Sequence, residues 1–156
     1  ITSGKSNRED SDTEATYHFF DRSSDVRRSG IYLYDDDAVI VAGEGQEFIP
    51  KKFSGKFDLH QRAYAIMKFG DRLTYEYCYY FIFHHRRYFE RMAVGTTVLS
   101  LRLPMFQKMM IQLPSMEEQD KIVAVLTNVD SYLKILSNGI QSTESLKQGL
   151  LQQMFV

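Results

Sequence analysis

"LPSMEEQDKIVAVL", residues 113–126, divides the chain into two kinds of sequence. Upstream lie short aromatic runs broken by glycines and polar clusters. Downstream lies one regular, apolar-striped stretch. Ser115 stands three residues before Glu118, the S-x-x-E capping box, in which the hydroxyl takes a backbone N–H and the carboxylate reaches back to the cap. Glu117, Glu118 and Asp120 place negative charge at the positive end of the helix. Pro114 resists extension of that helix backwards. Three local signals thus agree on one sharp helix start.

Beyond that start, Ile122, Leu126, Val129, Leu133, Leu136 and Ile140 recur at alternating spacings of 4 and 3, the seam of a coiled coil rather than the broader face of a core helix. Asn138-Gly139 is a weak point, since glycine costs about 1 kcal/mol against alanine in a helix. Leu146, Leu150 and Met154 resume the stripe after a break in phase. Some 38 helical residues would be about 57 Å long. A domain built from the preceding 113 residues has a radius of gyration near 13 Å. The stripe therefore outruns its own domain and calls for a helix from another chain or another part of the protein.

The 113 residues upstream read as mixed α and β. Residues 1–16 are polar and read as loop. Ile31–Tyr34 and Ala38–Ala42 read as two strands joined by an acidic turn at Asp35–Asp37, and Gly43 and Gly45 break the second. A loop with a Ser54-Gly55 turn follows, then a strand over Ala63–Phe69. Asp71 to Met92 contains a helix opened by Asp71 or Thr74. Tyr77, Tyr80, Phe81 and Tyr88 fall at helical spacing and read as core. Val98–Leu101 and Met110–Leu113 read as strands, with a helical turn from Pro104 between them.

Composition narrows the class. With 44% apolar residues, disorder is not the default. The single cysteine, Cys78, excludes an intrachain disulfide framework and suits a reducing, cytoplasmic setting. No apolar run approaches the roughly 18 residues that span a bilayer, so no membrane partner is expected. The initial Ile in place of Met suggests a fragment or a partly ordered product. Net charge is −1; residues 1–113 hold 16 Lys+Arg against 15 Asp+Glu, and residues 114–156 hold 3 against 5. Basic residues cluster locally, as at Arg22, Arg27 and Arg28, at Lys51, Lys52 and Lys56, and at Arg86, Arg87 and Arg91.

The order of these parts carries a resemblance. A compact aromatic region, then "P-x-x-EEQ", then a leucine-striped helix closing in "LKQGLLQQMF" resembles one half of the specificity subunit of type I restriction–modification systems. Leu113, Pro114, Glu117, Glu118, Gln119 and Ile122 carry the likeness at the helix start. Leu146, Gly149, Leu150, Leu151 and Phe155 carry it at the close. "GEGQEFIPKKFSGKFDLHQRAYAI" and "GTTVLSLRLPMFQKMMIQLP" resemble further runs of the family. Ser115 stands where the family often has another proline.

The resemblance implies an α+β target-recognition domain over 1–113, with a twisted, mostly antiparallel sheet. A helical spacer over 114–156 would pair as an antiparallel coiled coil. It implies a non-catalytic reader of double-stranded DNA that takes one half of a bipartite target. Its expected partners are methyltransferase (modification) subunits, a restriction subunit and a second specificity half, either another copy or a missing part of the protein. No cofactor is expected in this chain.

The residues themselves supply no competing chemistry. The prolines at 50, 104 and 114 are isolated, so the Asn/Asp-Pro-Pro-aromatic motif of DNA amino-methyltransferases is absent, and no phosphate-binding G-x-x-x-x-G-K-[ST] loop is present. Gly43-Glu44-Gly45 lacks the third glycine of a dinucleotide fingerprint. Cys78 has no zinc-spaced partner in His84 or His85.

For DNA contact, phosphates favour Lys, Arg and hydroxyls, while base edges favour Arg, Lys, Asn and Gln. Loops on a rigid sheet are the better carriers. The candidates are Lys51 and Lys52 in a loop beside Gln46; the triplet His60, Gln61 and Arg62 at a strand start; Arg22, Arg27 and Arg28 in another loop; and Thr96 and Thr97 after Gly95. The ordinary reading of each is an exposed polar residue. Two other classes remain open: a protein-interaction module that dimerises through its C-terminal helix, and the recognition part of a fused restriction–methylation enzyme.

Overall fold

A computed structural model describes residues 1–7, 9 and 11–155; Arg8 and Asp10, within the stretch read as loop, and Val156 lie outside it. In chain order the elements are β1 (Thr2–Ser3), β2 (Tyr17–Phe20), β3 (Arg27–Ser29), β4 (Tyr34–Ala42), β5 (Glu44–Gly45), β6 (Lys51–Leu59), β7 (Ala63–Ile66), α1 (Tyr75–His84), α2 (Arg86–Met92), β8 (Leu99–Ser100), α3 (Leu103–Gln107) and α4 (Met116–Met154). The fold is mixed α+β. Six strands form one sheet in the order β1-β7-β4-β6-β2-β3, and β5 pairs with β8 in a small second sheet. Among these described strands every pairing is antiparallel except β2 with β6, and an isolated parallel bridge joins Ser6 to His60.

The pairing register forces the large sheet to curl. Tyr34 lies opposite Phe57 and Ala42 opposite Ala63. Along β4 those two points are about 26 Å apart at strand rise. The six steps from Phe57 to Ala63 reach only about 21 Å when fully extended, and a turn interrupts them. The end of β6 therefore swings across the sheet toward the far end of β4. Strand side chains fill most of the space this encloses: Phe20, Ala38, Ile40, Phe57, Leu59, Ala63 and Ala65 are buried there, with Phe53, Tyr34 and Met67 beside them. The opposite face of β4 is covered by helices. Val39 and Val41 pack with Cys78, Ile82, Phe89, Leu101 and Phe106.

Several local expectations give way to this pairing. Asp35–Asp37 are not a turn but the first half of β4, where Asp35 faces Lys56 and Asp37 faces Ser54 across the strand pair; Ile31 and Tyr32 lie outside it and are exposed. Ser54-Gly55 is not a turn either: both lie inside β6, where Gly55 takes φ +106°. Lys51 and Lys52 accordingly sit on a strand rather than a loop. Long-range pairing overrides the local turn preference of Asp and Gly. Arg27 and Arg28 also lie on a strand, paired with β2. Thr2–Ser3, within the stretch read as loop, forms an edge strand on β7. The strand expected through Phe69 stops at Ile66, and Lys68 turns to φ +57°. Met110–Leu113 forms no strand.

The helical expectations are close. Thr74, one of the two candidate caps, opens α1, its hydroxyl accepting the Tyr77 N–H at 3.2 Å. The single helix expected to Met92 divides at His85, which leaves helical geometry at φ −94°, ψ 15°. At the start of α4 the capping box is complete: Ser115 Oγ accepts the Glu118 N–H at 3.3 Å, and the Glu118 carboxylate accepts the Ser115 N–H at 3.0 Å. Gln119 is fully buried. It accepts the Thr74 N–H at 3.0 Å and donates to the carbonyls of Arg72 and Pro114 at 2.9 and 3.1 Å.

The chain divides into two compact units, Ile1–Gln119 and a second that begins at Asp120. The second is helical through Met154, uninterrupted at Asn138-Gly139. Along it Leu133, Leu136, Ile140, Leu146 and Met154 are each more than half exposed. Among the described residues no helix is long and apolar enough to cross a membrane.

Candidate nucleic-acid interface

The two glycines around Glu44 explain where the polar face forms. Gly43 follows β4 directly, and its N–H bonds the Arg62 carbonyl at 2.8 Å. A Cβ at Gly43 would lie 2.5 Å from that oxygen, so only glycine permits the approach. The Gly43 carbonyl accepts from Leu101 at 2.8 Å. Glu44 is thereby fixed between β4, the 60–62 turn and β8. Gly45 takes φ +146° and redirects the chain into the exposed Gln46.

Glu44 is the centre of the face. Arg22, from the segment after β2, meets one carboxylate oxygen at 2.8 Å, and Arg62, from the turn between β6 and β7, bonds the other. The Glu44 side chain is 11% exposed, while those of Arg22 and Arg62 are 51% and 59% exposed. Burial alone would raise the Glu44 carboxyl, but the hydrogen bonds and charges of Arg22 and Arg62 outweigh it and hold it below the ordinary value.

Beneath this surface lies a braced layer. Asp21 is 4% exposed and accepts from the Ser23 N–H at 2.7 Å and from Arg27 Nε at 3.1 Å. Lys51 Nζ donates to the Ser23 carbonyl at 2.7 Å. Burial lowers the Lys51 ammonium, against the opposing pull of Asp21 and Asp25. His60 is buried, and its Nδ1 accepts the Arg62 N–H at 3.0 Å, which shapes the turn. Burial is the main cause of its lowered basicity.

Of the residues predicted from sequence, Arg22, Gln61 and Arg62 share a recess of about 250 Å³ with Asp21 and His60. Gln46 and Lys51 line an adjoining one of about 410 Å³ with Arg22 and Glu44. Thr96 and Thr97 lie in an exposed bend just before β8, whose Leu99 pairs with Gly45, and line none of these recesses. Lys52 lies apart, its ammonium over the rings of Tyr79 and Tyr80 at 5.1 and 5.3 Å. Arg27 is engaged with Asp21, and Arg28 donates to the Thr16 carbonyl at 3.0 Å on the edge strand.

Two residues of the face escaped the sequence reading. Glu44 reads as a filler between turn glycines; the clue lay in the arginines placed 22 residues before and 18 after it, which no local pattern joins. Arg102 lines a third recess of about 300 Å³ with Glu44, Gln61 and Arg62. An exposed arginine between a strand and a proline was its only signal. Cys78 is buried, which pushes its thiol up to about 12 and keeps it protonated. Among the described residues no cluster of His, Cys, Asp and Glu is built to hold a metal.

Comparison with known proteins places this geometry. The chain is 26% identical over 155 residues to the specificity subunit of the Escherichia coli type I restriction enzyme EcoDI, across 97% of this chain and 34% of that protein. It thus spans about a third of the length of the curated relative it matches. It shares a fold with the type I restriction–modification S subunit from M. genitalium, with a TM-score of 0.76 and 19% identity over 99% of this chain and 42% of that one. A family model described as the type I restriction modification DNA specificity domain matches residues 16–145. That match runs from β2 deep into α4, and the chain accordingly belongs to the type I restriction modification DNA specificity domain family.

Proposed function

We propose that the chain is a non-catalytic DNA-recognition half of a type I specificity subunit, reading one part of a bipartite target. Recognition is assigned to residues 1–113 and spacing to 114–156. The family match over 16–145 carries the reading. The exposed arginine face at Arg22 and Arg62 supports it locally, because arginine matches base edges and phosphates alike. Gln46, Gln61, Arg62 and Arg102 are the candidates for base contact. Thr96, Thr97 and Arg28 are candidates for phosphate.

The stripe from Ile122 through the half-buried Leu126 and the exposed Val129, Leu133, Leu136, Ile140, Leu146 and Leu150 to Met154 would pair with the equivalent helix of a second half. That pair would dock methyltransferase subunits, with a restriction subunit joining them. Such an assembly acts on genomic DNA and would work in the cytoplasm. Near-neutral charge favours one other reading, a protein-interaction head on a dimerising helix. Selection from a randomised duplex pool by the assembled complex decides between them. An enriched motif supports the DNA reader; no enrichment leaves the interaction module.

A further inference from the structure

Arginines are poor discriminators by default. A guanidinium takes any phosphate oxygen as readily as a guanine edge, and phosphates line every duplex regardless of sequence. A protein that reads bases with arginine gains from withholding it from the backbone. The arrangement around Glu44 does this physically. Its carboxylate is nearly enclosed, fixed by the Gly43 approach to Arg62, and engages both guanidiniums while their remaining surface stays open. The two arginines come from elements far apart in sequence, and among the described residues Glu44 is the acid that ion-pairs with both. To engage a phosphate by the edge that Glu44 holds, either arginine would first have to break a charge-assisted bond.

We propose that Glu44 is a specificity-determining positioning residue, which holds Arg22 and Arg62 as an oriented pair for base edges and withholds them from the phosphate backbone. The proposal rests on the DNA-reading function above. It assigns a discriminating role to an acidic residue within a surface otherwise identified by its exposed arginines. Glu44 acts through the arginines and need not touch DNA itself. Removing it should therefore strengthen binding to unrelated DNA, the opposite of what damage to the fold would do.

The test uses the full chain in its assembled complex. The probes are a random-sequence duplex pool and the motif that the wild-type complex selects, each titrated across salt. Each phosphate contact contributes about −0.9 to the slope of log affinity against log salt. Glu44→Gln, nearly isosteric, should bind the random pool more tightly and steepen its slope by about one to two units. The ratio of motif to pool affinity should fall by about tenfold, one good base contact.

A second variant reads the same claim from the other side. Arg22→Gln with Arg62→Gln should abolish preference at one or two base pairs yet leave the pool slope unchanged, since those arginines are already withheld from phosphate. An unchanged or shallower pool slope in Glu44→Gln overturns the proposal. So does a flattened slope with intact preference in the double arginine variant. A wild-type complex without any selected motif overturns the DNA-reading function itself, a failure recognisable before either variant is measured.

Discussion

At the scale of single residues, the polar face rests on buried groups whose ionisation the fold controls. Burial by itself would raise the Asp21 carboxyl; its bonds from Ser23 and the charge of Arg27 outweigh that and hold it below its ordinary 3.8. The folded protein therefore binds this proton more weakly than the unfolded chain. The stability it contributes is complete above 3.8 and is lost as pH falls through the lowered value. His60 is likewise lowered from 6.5, chiefly by burial, so protonation below that pH favours the unfolded chain. Thermal melting followed downward from neutral pH should show a first decline below 6.5 and a steeper one in the carboxylate range. Asp21→Asn should remove part of the steeper decline while lowering the melting temperature at neutral pH; a variant with the wild-type acid profile contradicts the assignment. Lys51→Met should lose the bond to the Ser23 carbonyl and destabilise the protein by about 1–2 kcal/mol in denaturant unfolding.

At the scale of elements, Gln119 ties the first turn of α4 to the segment before α1 through three hydrogen bonds. Gln119→Leu would leave the Thr74 N–H and two carbonyls to find new partners, at a cost of about 1–3 kcal/mol for a buried group left unpaired. Chemical denaturation checks this, and a change within a few tenths of a kcal/mol speaks against the tie. The start of α4 was legible in sequence because Pro114, Ser115 and Glu118 act within one turn of each other. The Thr74 cap was legible for the same reason. The strands were less so. Asp35–Asp37 and Ser54-Gly55 have the composition of turns, and only their pairing with each other across β4 and β6 makes them strand. The candidate site divides in the same way. Arg22, Gln61 and Arg62 could be named from residue type, but the acid that unites them could not, since the parallel pairing of β2 with β6 sets Arg22 beside the 60–62 turn and the Gly43–Arg62 bond brings Glu44 to both.

At the scale of the whole molecule, the claims concern assembly and reading. The stripe on α4 is exposed at Val129, Leu133 and Leu136, by 47%, 58% and 63%. Replacing Leu126, Val129 and Leu133 together with Asp should leave the melting of the first unit near wild type while abolishing self-association in sedimentation. Loss of the melting transition would instead make the stripe part of the core of residues 1–119. The central claim is that this chain reads DNA sequence, and one measurement tests it most directly: selection from a randomised duplex library at fixed salt by the complex assembled with its methyltransferase subunits. A short enriched motif is expected, with Gln61→Ala or Arg62→Ala relaxing preference at one or two base pairs by about 1–3 kcal/mol each. A wild-type complex that binds every duplex alike would contradict it.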